Sequence, residues 1–170
     1  MQIERATLVP GPPERAFALV DDLSAYPAWM DLVHAVQEVV GQEVVGQEKS
    51  TADEQRAWEV ELQAQVGPFA RSKRLRMVRT VHEPGRRVVF ERAEIDGRRH
   101  SAWVLAATLD ADSHQESSDE RSTKLTMTLT YGGNLWTGAV LQRVLDDHVE
   151  RGAAALCALL TEARDADEPH

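Results

Sequence analysis

The chain has 170 residues, of which 42% are hydrophobic, so it is long enough to form one domain with a substantial core. Its net charge of −9 disfavours nucleic acid as a partner, and its single cysteine excludes an internal disulfide. The opening MQIERATLV lacks the features of a signal peptide and no apolar run reaches the length of a membrane span, so we expect a cytoplasmic protein.

The chain begins with a strand followed by two short helices. The loose alternation from Gln2 to Val9 predicts a strand that stops at the proline-rich PGPP after it. Pro13 suits the first turn of a helix, and apolar residues that share a face predict a short helix as far as Asp22. Ser24 is expected to cap a second short helix that continues to Met30.

This opening carries a family resemblance. The stretch PPERAFALVDDLSAYPAWMDLV resembles the start of the START-like superfamily, the polyketide cyclase/dehydrase and lipid-transport proteins. It is particularly similar to the coenzyme Q-binding branch, in which a Leu-Val-x-Asp run precedes Tyr-Pro, an aromatic residue and an apolar residue. The resemblance implies a curved antiparallel sheet that grips a long C-terminal helix over a hydrophobic cavity. The matching residues are Leu19, Val20, Asp22, Tyr26, Pro27, Trp29 and Met30.

The middle of the chain is predicted to form six further strands. From Val33 the chain is extended, and EVVGQ then occurs twice in succession over residues 38–47. Because the period of the repeat is odd, a continuous strand would reverse its faces, so we expect a bulge or turn at Gly41 or Gly46. The strand from Trp58 to Val66 alternates strictly between apolar and polar side chains.

Turn signals separate the later strands, the last of which ends at Tyr131 before Gly132-Gly133. Tight connections between neighbouring strands predict an antiparallel sheet. The expected connections are a turn at Gly67-Pro68, a turn at Pro84-Gly85, a two-residue hairpin at Asp96-Gly97 and a polar loop from Asp110 to Ser122.

The last segment, Asn134 to Ala163, is predicted to be one long helix, with a disordered tail over residues 164–170 and a single domain over residues 1–163. At about 100° per residue, Asn134, His148 and Gly152 lie at the centre of its apolar stripe. Two polar groups and a missing side chain on a buried face indicate that the helix covers a cavity. The apolar members of the stripe are Leu141, Val144, Leu145, Val149, Leu156 and Leu159.

The order of elements predicts an α+β helix-grip fold. A sheet with one apolar face must bury that face, and only the last helix is long enough to cover it. We therefore expect a curved antiparallel sheet of about seven strands wrapped around the C-terminal helix, with two short helices after the first strand.

A ligand site is predicted between the sheet and this helix. His148 could donate a hydrogen bond to a ligand oxygen or transfer a proton, or it could be satisfied by a backbone carbonyl or a tyrosine. Arg79 falls in an inward phase and could pair with a ligand oxygen, or it could lie at the rim or pair with an internal acid. The other expected ligand-binding residues, several of which also suit an ordinary core, are Trp58, Leu62, Met77, Trp103, Leu105, Met127, Tyr131, Leu141, Leu145 and Gly152.

Other kinds of site are not supported by the sequence. The six histidines have no metal-ligand spacing, so we expect no metal, and no cofactor-binding motif occurs. Cys157 lies away from the stripe and is not expected to be a catalytic thiol. The segment from Arg71 to Arg99 contains ten of the nineteen Lys and Arg residues, which fits a solvated outer face of strands or a basic surface for a partner.

Three functional hypotheses follow. The first is a module that binds a hydrophobic small molecule, such as a lipid, a quinone or a polyketide-like aromatic, in the cavity. The second is a polyketide aromatase/cyclase, in which His148 or Arg79 assists proton transfer or stabilises an enolate. The third is a protein-interaction module that uses the basic face. The sequence does not define the oligomeric state.

Overall fold

The computed structural model describes residues 2–39, 56–66, 69–111, 122–132 and 139–167, and the side chains in these ranges except at 64–66, 69–71, 139–146 and 164–167. The chain opens with β1 (Gln2–Pro10), α1 (Pro13–Val20) and a 3₁₀ helix (Leu23–Ala28). The strands that follow are β2 (Val33–Val39), β3 (Ala57–Val66), β4 (Phe69–Glu83), β5 (Arg87–Arg92), β6 (Trp103–Ala111) and β7 (Ser122–Tyr131), and the final helix is α2 (Ala139–Asp167).

The described strands form one antiparallel sheet in the order β1-β7-β6-β5-β4-β3-β2. Consecutive strands from β2 to β7 are neighbours, and β1 completes the sheet beside β7. The predicted architecture of seven antiparallel strands, two short helices and a long C-terminal helix is confirmed.

The 3₁₀ helix is capped by a different residue from the one predicted. Asp22, rather than Ser24, is the N-cap residue, and its Oδ1 accepts a hydrogen bond from the Ser24 backbone N–H at 2.8 Å. The Asp22 carboxylate also forms an ion pair with the Arg56 guanidinium at 2.7 Å. A serine at the N-cap position has no charge and could not form this pair.

The connection from β5 to β6 is longer than the predicted two-residue hairpin. Gly97 has the positive φ of +70° that the turn signal requires, but β5 ends at Arg92 and β6 begins at Trp103. Side-chain hydrogen bonds hold this longer connection, since Arg92 donates to Glu94 at 2.6 Å and contacts the His100 ring at 3.0 Å. At Pro84-Gly85, by contrast, Gly85 makes the predicted turn with φ of +72°.

Several element ends differ from the predictions, including that of the 3₁₀ helix, which ends at Ala28 and not at Met30. Asp110 and Ser122, assigned to the polar loop, belong to β6 and β7, because Asp110 pairs with Lys124 of β7 and Ser122 pairs with Pro10 of β1. The helix α2 continues to Asp167, beyond the predicted end at Ala163, so part of the expected tail is helical. Gly41, Gly46, the Gly67-Pro68 turn, residues 112–121 and Asn134 lie outside the described residues.

The core lies between the sheet and the three helices. Its largest fully buried side chains include Trp58, Tyr26, Phe90, Leu125 and Leu156. Aromatic rings connect the 3₁₀ helix to the sheet, with the Tyr26 and Phe90 centroids 6.4 Å apart and the Phe90 and Trp58 centroids 5.4 Å apart. This ring cluster fills the sheet interior beside the short helices.

Candidate functional site

A cavity of about 520 Å³ lies between the sheet and α2. The strands β1, β6 and β7 form one wall, the segment from the 3₁₀ helix to the start of β2 forms another, and α2 covers both. Most of the lining is apolar, and the volume is within the range of about 300–1,000 Å³ typical of small-molecule pockets. The wall residues from the sheet and the 3₁₀ segment include Ile3, Tyr26, Trp29, Met30, Leu62, Trp103, Leu105, Leu125, Met127 and Leu129.

Four of the predicted site residues line this cavity: Leu62, Trp103, Leu105 and Met127. They come from three strands and share the inward phase of the sheet, so strand alternation alone was sufficient to place them. All four are partly exposed, which is what a wall beside an open volume requires. The side chains of Leu141 and Leu145 are outside the described residues.

Trp58 and Met77 face inward as predicted but belong to the solid core and do not line the cavity. Trp58 is 0% exposed and Met77 is 3% exposed. Their Cα atoms are paired across β3 and β4, close to the Phe90 ring, where the aromatic cluster fills the space. Inward phase is common to core and cavity residues, so it could not distinguish the two.

Arg79 is buried, at 4% exposure, but the structure places it away from the cavity. One of its terminal nitrogens lies 3.4 Å from the Asp21 carbonyl oxygen, beside the end of α1. The bulge that the rim alternative required is present between Arg79 and Val81, yet it leaves the side chain inside the protein. The guanidinium therefore contacts the short-helix region rather than the space for a ligand.

His148 does not point into the cavity. Its Nδ1 lies 2.5 Å from Asp31 Oδ1, and an Arg151 nitrogen lies 3.0 Å from the same Nδ1 and 3.3 Å from Asp31 Oδ2. These three side chains join α2 to the segment between the 3₁₀ helix and β2. We predicted that His148 faces a bound molecule. The structure instead places its imidazole against the Asp31 carboxylate, so that the side chain connects α2 to the segment before β2.

Gly152 also faces a packed surface and not the cavity. A Cβ at this position would lie 2.9 Å from Met30 Cε and 3.3 Å from the Trp29 carbonyl oxygen. The missing side chain therefore allows α2 to approach the 3₁₀ segment closely, and it does not create a void at this position. The Met30 side chain fills the place predicted to be empty and itself forms part of the cavity wall.

The cavity lies under a different side of α2. The helix lines it through Val149, Ala153, Leu156 and Cys157, with Glu150 and Ala154 at its margin. At about 100° per residue, the centre of this group is rotated by roughly 100° from Gly152. The small side chains of Ala153 and Ala154 leave the volume that the sequence analysis had assigned to Gly152.

The YPAW motif supplies wall residues that sequence reasoning missed. Tyr26, Trp29 and Met30 line the cavity, although the motif was interpreted only as a mark of the fold. Backbone carbonyls fix the two ring systems, since Tyr26 Oη donates to Val20 O at 3.0 Å and Trp29 Nε1 donates to Leu19 O at 3.2 Å. Burial raises the pKa of the Tyr26 hydroxyl, which therefore stays protonated and acts as a donor within the wall.

Polar side chains enter the lining from β1 and from α2. Arg5 and Thr7 are in the same phase of β1 as the buried Ile3, and alternation could have identified them. Cys157 also lines the cavity, and its Sγ lies 3.5 Å from the Leu8 carbonyl oxygen. Burial raises the pKa of the Cys157 thiol, so the neutral form dominates and the side chain serves as a small wall residue.

The predicted site residue Tyr131 lies beside the cavity, against one of its walls. Its ring meets that of Trp103 edge-on, with centroids 5.2 Å apart. The Lys73 ammonium lies over both rings, 5.5 Å from the Tyr131 centroid and 5.6 Å from the Trp103 centroid. Trp103 thus forms part of the cavity wall and also contacts the Tyr131 ring and the Lys73 ammonium.

The described residues contain neither a metal-binding cluster nor a membrane-spanning helix. No cluster of three or more His, Cys, Asp or Glu side chains there is arranged to hold a metal ion. None of the helices in the described ranges combines the length and the apolar character that crossing a membrane requires.

Comparison with known proteins gives a consistent classification. A sequence model of the family described as polyketide cyclase / dehydrase and lipid transport matches residues 1–161. No curated protein sequence matches the chain significantly.

Several solved structures have the same fold. The Zhui aromatase/cyclase from a Streptomyces species is similar with a TM-score of 0.60 and 13% identity, over 95% of this chain and 93% of that one. A START superfamily protein from Mycobacterium smegmatis has a TM-score of 0.62 and 12% identity, over 95% and 98% of the two chains. A protein from Thermus thermophilus has a TM-score of 0.62 and 18% identity, over 96% and 99%. Identities this low establish the fold alone.

Proposed function

Because this chain belongs to the polyketide cyclase/dehydrase and lipid transport family, we propose that it binds a hydrophobic small molecule in the cavity beneath α2. The observation that carries the proposal is the open volume of about 520 Å³ with a mainly apolar wall beneath α2. An apolar molecule that enters this volume loses its contact with water, which favours binding by about 25 cal/mol for each Å² of apolar surface removed.

The wall is constructed to keep its shape. Tyr26 and Trp29 are held by hydrogen bonds to backbone carbonyls, and Trp103 is packed against Tyr131. A wall whose side chains are already fixed loses little conformational entropy when a ligand binds. The ligand class on this proposal is a lipid, a quinone or a polyketide-like aromatic.

The enzymatic alternative has less support. It assigned proton transfer or enolate stabilisation to His148 or Arg79, but His148 contacts Asp31 and Arg79 contacts the Asp21 carbonyl. The alternative of a basic interaction face is also weaker, because part of that charge is paired, as in the contact between Arg74 and Glu61 at 3.3 Å. Binding in the cavity is the function that the geometry favours.

Two leucine substitutions on α2 test the proposal. Ala153 lines the cavity, whereas Ala158 is exposed on the same helix, so Ala153→Leu fills the volume and Ala158→Leu is a matched control. We expect the unmodified protein and Ala158→Leu to bind the neutral dye Nile red with equal affinity, and Ala153→Leu to bind it at least about tenfold more weakly, because a ligand atom and the new side chain cannot share the same space. The measurement is a fluorescence titration, and equal binding by all three proteins would refute a site beneath α2.

A further inference from the structure

A lysine that forms no ion pair with any described residue lies at the margin of the cavity. Lys73 is in the inward phase of β4, and its Cα is paired with that of Leu62, a cavity residue. Its ammonium lies 5.6 Å from the ring centroid of Trp103, a second cavity residue, and 5.5 Å from that of Tyr131. The cation is therefore next to the wall, over the faces of two aromatic rings.

Within the described residues, Lys73 makes no ion pair and no hydrogen bond. The acid that acts on it electrostatically is Glu94, whose Oε1 is already bound to Arg92 Nε at 2.6 Å. Burial, and then repulsion by Arg92, lower the pKa of the Lys73 ammonium. The positive charge has lost part of its hydration, and among the described side chains it is attracted by two aromatic faces and, without direct contact, by Glu94.

Other cations of the protein are compensated differently. Arg56 binds Asp22 at 2.7 Å and Glu38 at 2.7 Å, and the outward Arg74 contacts Glu61. A side chain whose only role is to cover the Trp103 ring could be apolar, since methionine would give the same contact without the cost of partly burying a charge.

We propose that the molecule bound in the cavity is an amphipathic carboxylate, whose apolar body lies along the wall and whose carboxylate pairs with Lys73. The inference rests on the proposed binding function and adds the polarity and the orientation of the ligand. A carboxylate at this end restores the charge compensation that the described side chains do not provide, and the partial burial of the site strengthens the attraction.

The net charge of the chain makes this inference sharper. At a net charge of −9 the molecule as a whole repels anions. Nonspecific electrostatic repulsion therefore weakens the binding of a carboxylate relative to a neutral ligand of the same length. A measured preference for the carboxylate would therefore report a local cationic site.

The test compares dodecanoate with dodecanol as competitors of bound Nile red. The two probes share the same chain and differ in the head group, so the ratio of their affinities isolates the contribution of the charge. We expect the unmodified protein to prefer dodecanoate by about tenfold to a hundredfold, the range of a hydrogen bond to a charged group. Lys73→Met should remove this preference and leave the affinity for dodecanol unchanged, whereas Lys73→Arg should retain most of it.

Arg74→Met is the matched control, because it removes the same charge from the adjacent residue on the outer face, where the Arg74 side chain is 77% exposed. It should keep the preference for dodecanoate. Equal affinities of the unmodified protein for both probes, or a preference that survives in Lys73→Met, would overturn the proposal while leaving a hydrophobic site intact. Displacement of Nile red by neither probe would also overturn the carboxylate assignment, whereas failure of the unmodified protein to bind Nile red would overturn the function on which it rests.

A second variant guards against a purely structural effect. If Lys73→Met and Lys73→Gln both lose affinity for dodecanol as well as for dodecanoate, Lys73 supports the fold and the assignment to the ligand carboxylate is wrong. Retained dodecanol binding in either variant, with the preference for dodecanoate lost, supports the assignment.

Discussion

Trp58 and Trp103 are both on the inner face of the sheet, but they belong to two differently packed regions. Trp58 is fully buried in the closed region, which consists of Trp58, Phe90 and the residues around them, and its ring meets Phe90 at 5.4 Å between centroids. Trp103 is partly exposed in the cavity region, where it forms part of the wall with Leu105 and Met127. Tyr26 is the boundary, since it packs near Phe90 and also lines the cavity.

The difference shows how one apolar sheet face serves two purposes. The short helices bring aromatic side chains onto the closed region, and these rings fill it. Over the cavity region, α2 contributes small residues such as Ala153 and Cys157, which leave volume between the helix and the sheet. The sheet supplies apolar side chains everywhere, and the covering element determines whether they form a core or a binding wall.

The largest expected effect comes from replacing the two tryptophans by alanine. Trp58→Ala should lower the free energy of unfolding by about 3–5 kcal/mol, because it leaves a void among fully buried side chains. Trp103→Ala should cost clearly less, since the side chain already borders open space. Urea denaturation measures both values, and equal losses would contradict the division into two regions.

A smaller effect should distinguish adjacent positions on α2. Gly152→Leu is expected to lower the free energy of unfolding by about 1–3 kcal/mol, because the new side chain collides with Met30 and the Trp29 carbonyl. Ala153→Leu, one residue further, should leave stability nearly unchanged and reduce ligand binding. The denaturation midpoints of the two variants provide the comparison, and a stable Gly152→Leu protein would mean that α2 does not approach the 3₁₀ segment closely.

The smallest expected effect is a pH dependence of stability that arises from the Asp22 carboxyl group beside the closed region. Burial of the Asp22 carboxyl opposes its ionisation, but hydrogen bonds from Ser24 and Arg56 outweigh this effect and lower its pKa. Because the folded-state pKa lies below the unfolded value of about 3.9, the charge stabilises the fold above that value, and the contribution is lost as pH falls through the folded pKa.

The variant Asp22→Asn isolates this charge, because asparagine can still cap the 3₁₀ helix. We expect it to lower the free energy of unfolding at neutral pH by about 0.5–1 kcal/mol, the range of a partly exposed ion pair, and the difference in Tm from the unmodified protein to disappear in acid. Glu59→Gln, an exposed substitution on β3 with the same change of charge, should show no such dependence. A difference in Tm that is constant with pH would exclude the ionic contribution.

Much of the fold was predictable from local patterns. Alternation in β3 and β7 placed Leu62 and Met127 on the inner face, and the turn at Gly85 was identified because few residues other than glycine adopt its positive φ. The site was only partly predictable. Alternation identified four wall residues but also included Trp58 and Met77, because core and cavity side chains have the same phase.

The amino-acid sequence by itself determined the order of elements, the antiparallel sheet and the residues that share each face, because these follow from local periodicity and turn chemistry. Only the tertiary structure decided which side of α2 faces the cavity. Periodicity fixes the angles between residues around a helix but not the rotation of the helix against the sheet, and here that rotation is set by the close contact of Gly152 with Met30 and by the contact of His148 with Asp31. The position of Lys73 against Trp103 and Tyr131 depends likewise on three strands that meet only in the folded sheet.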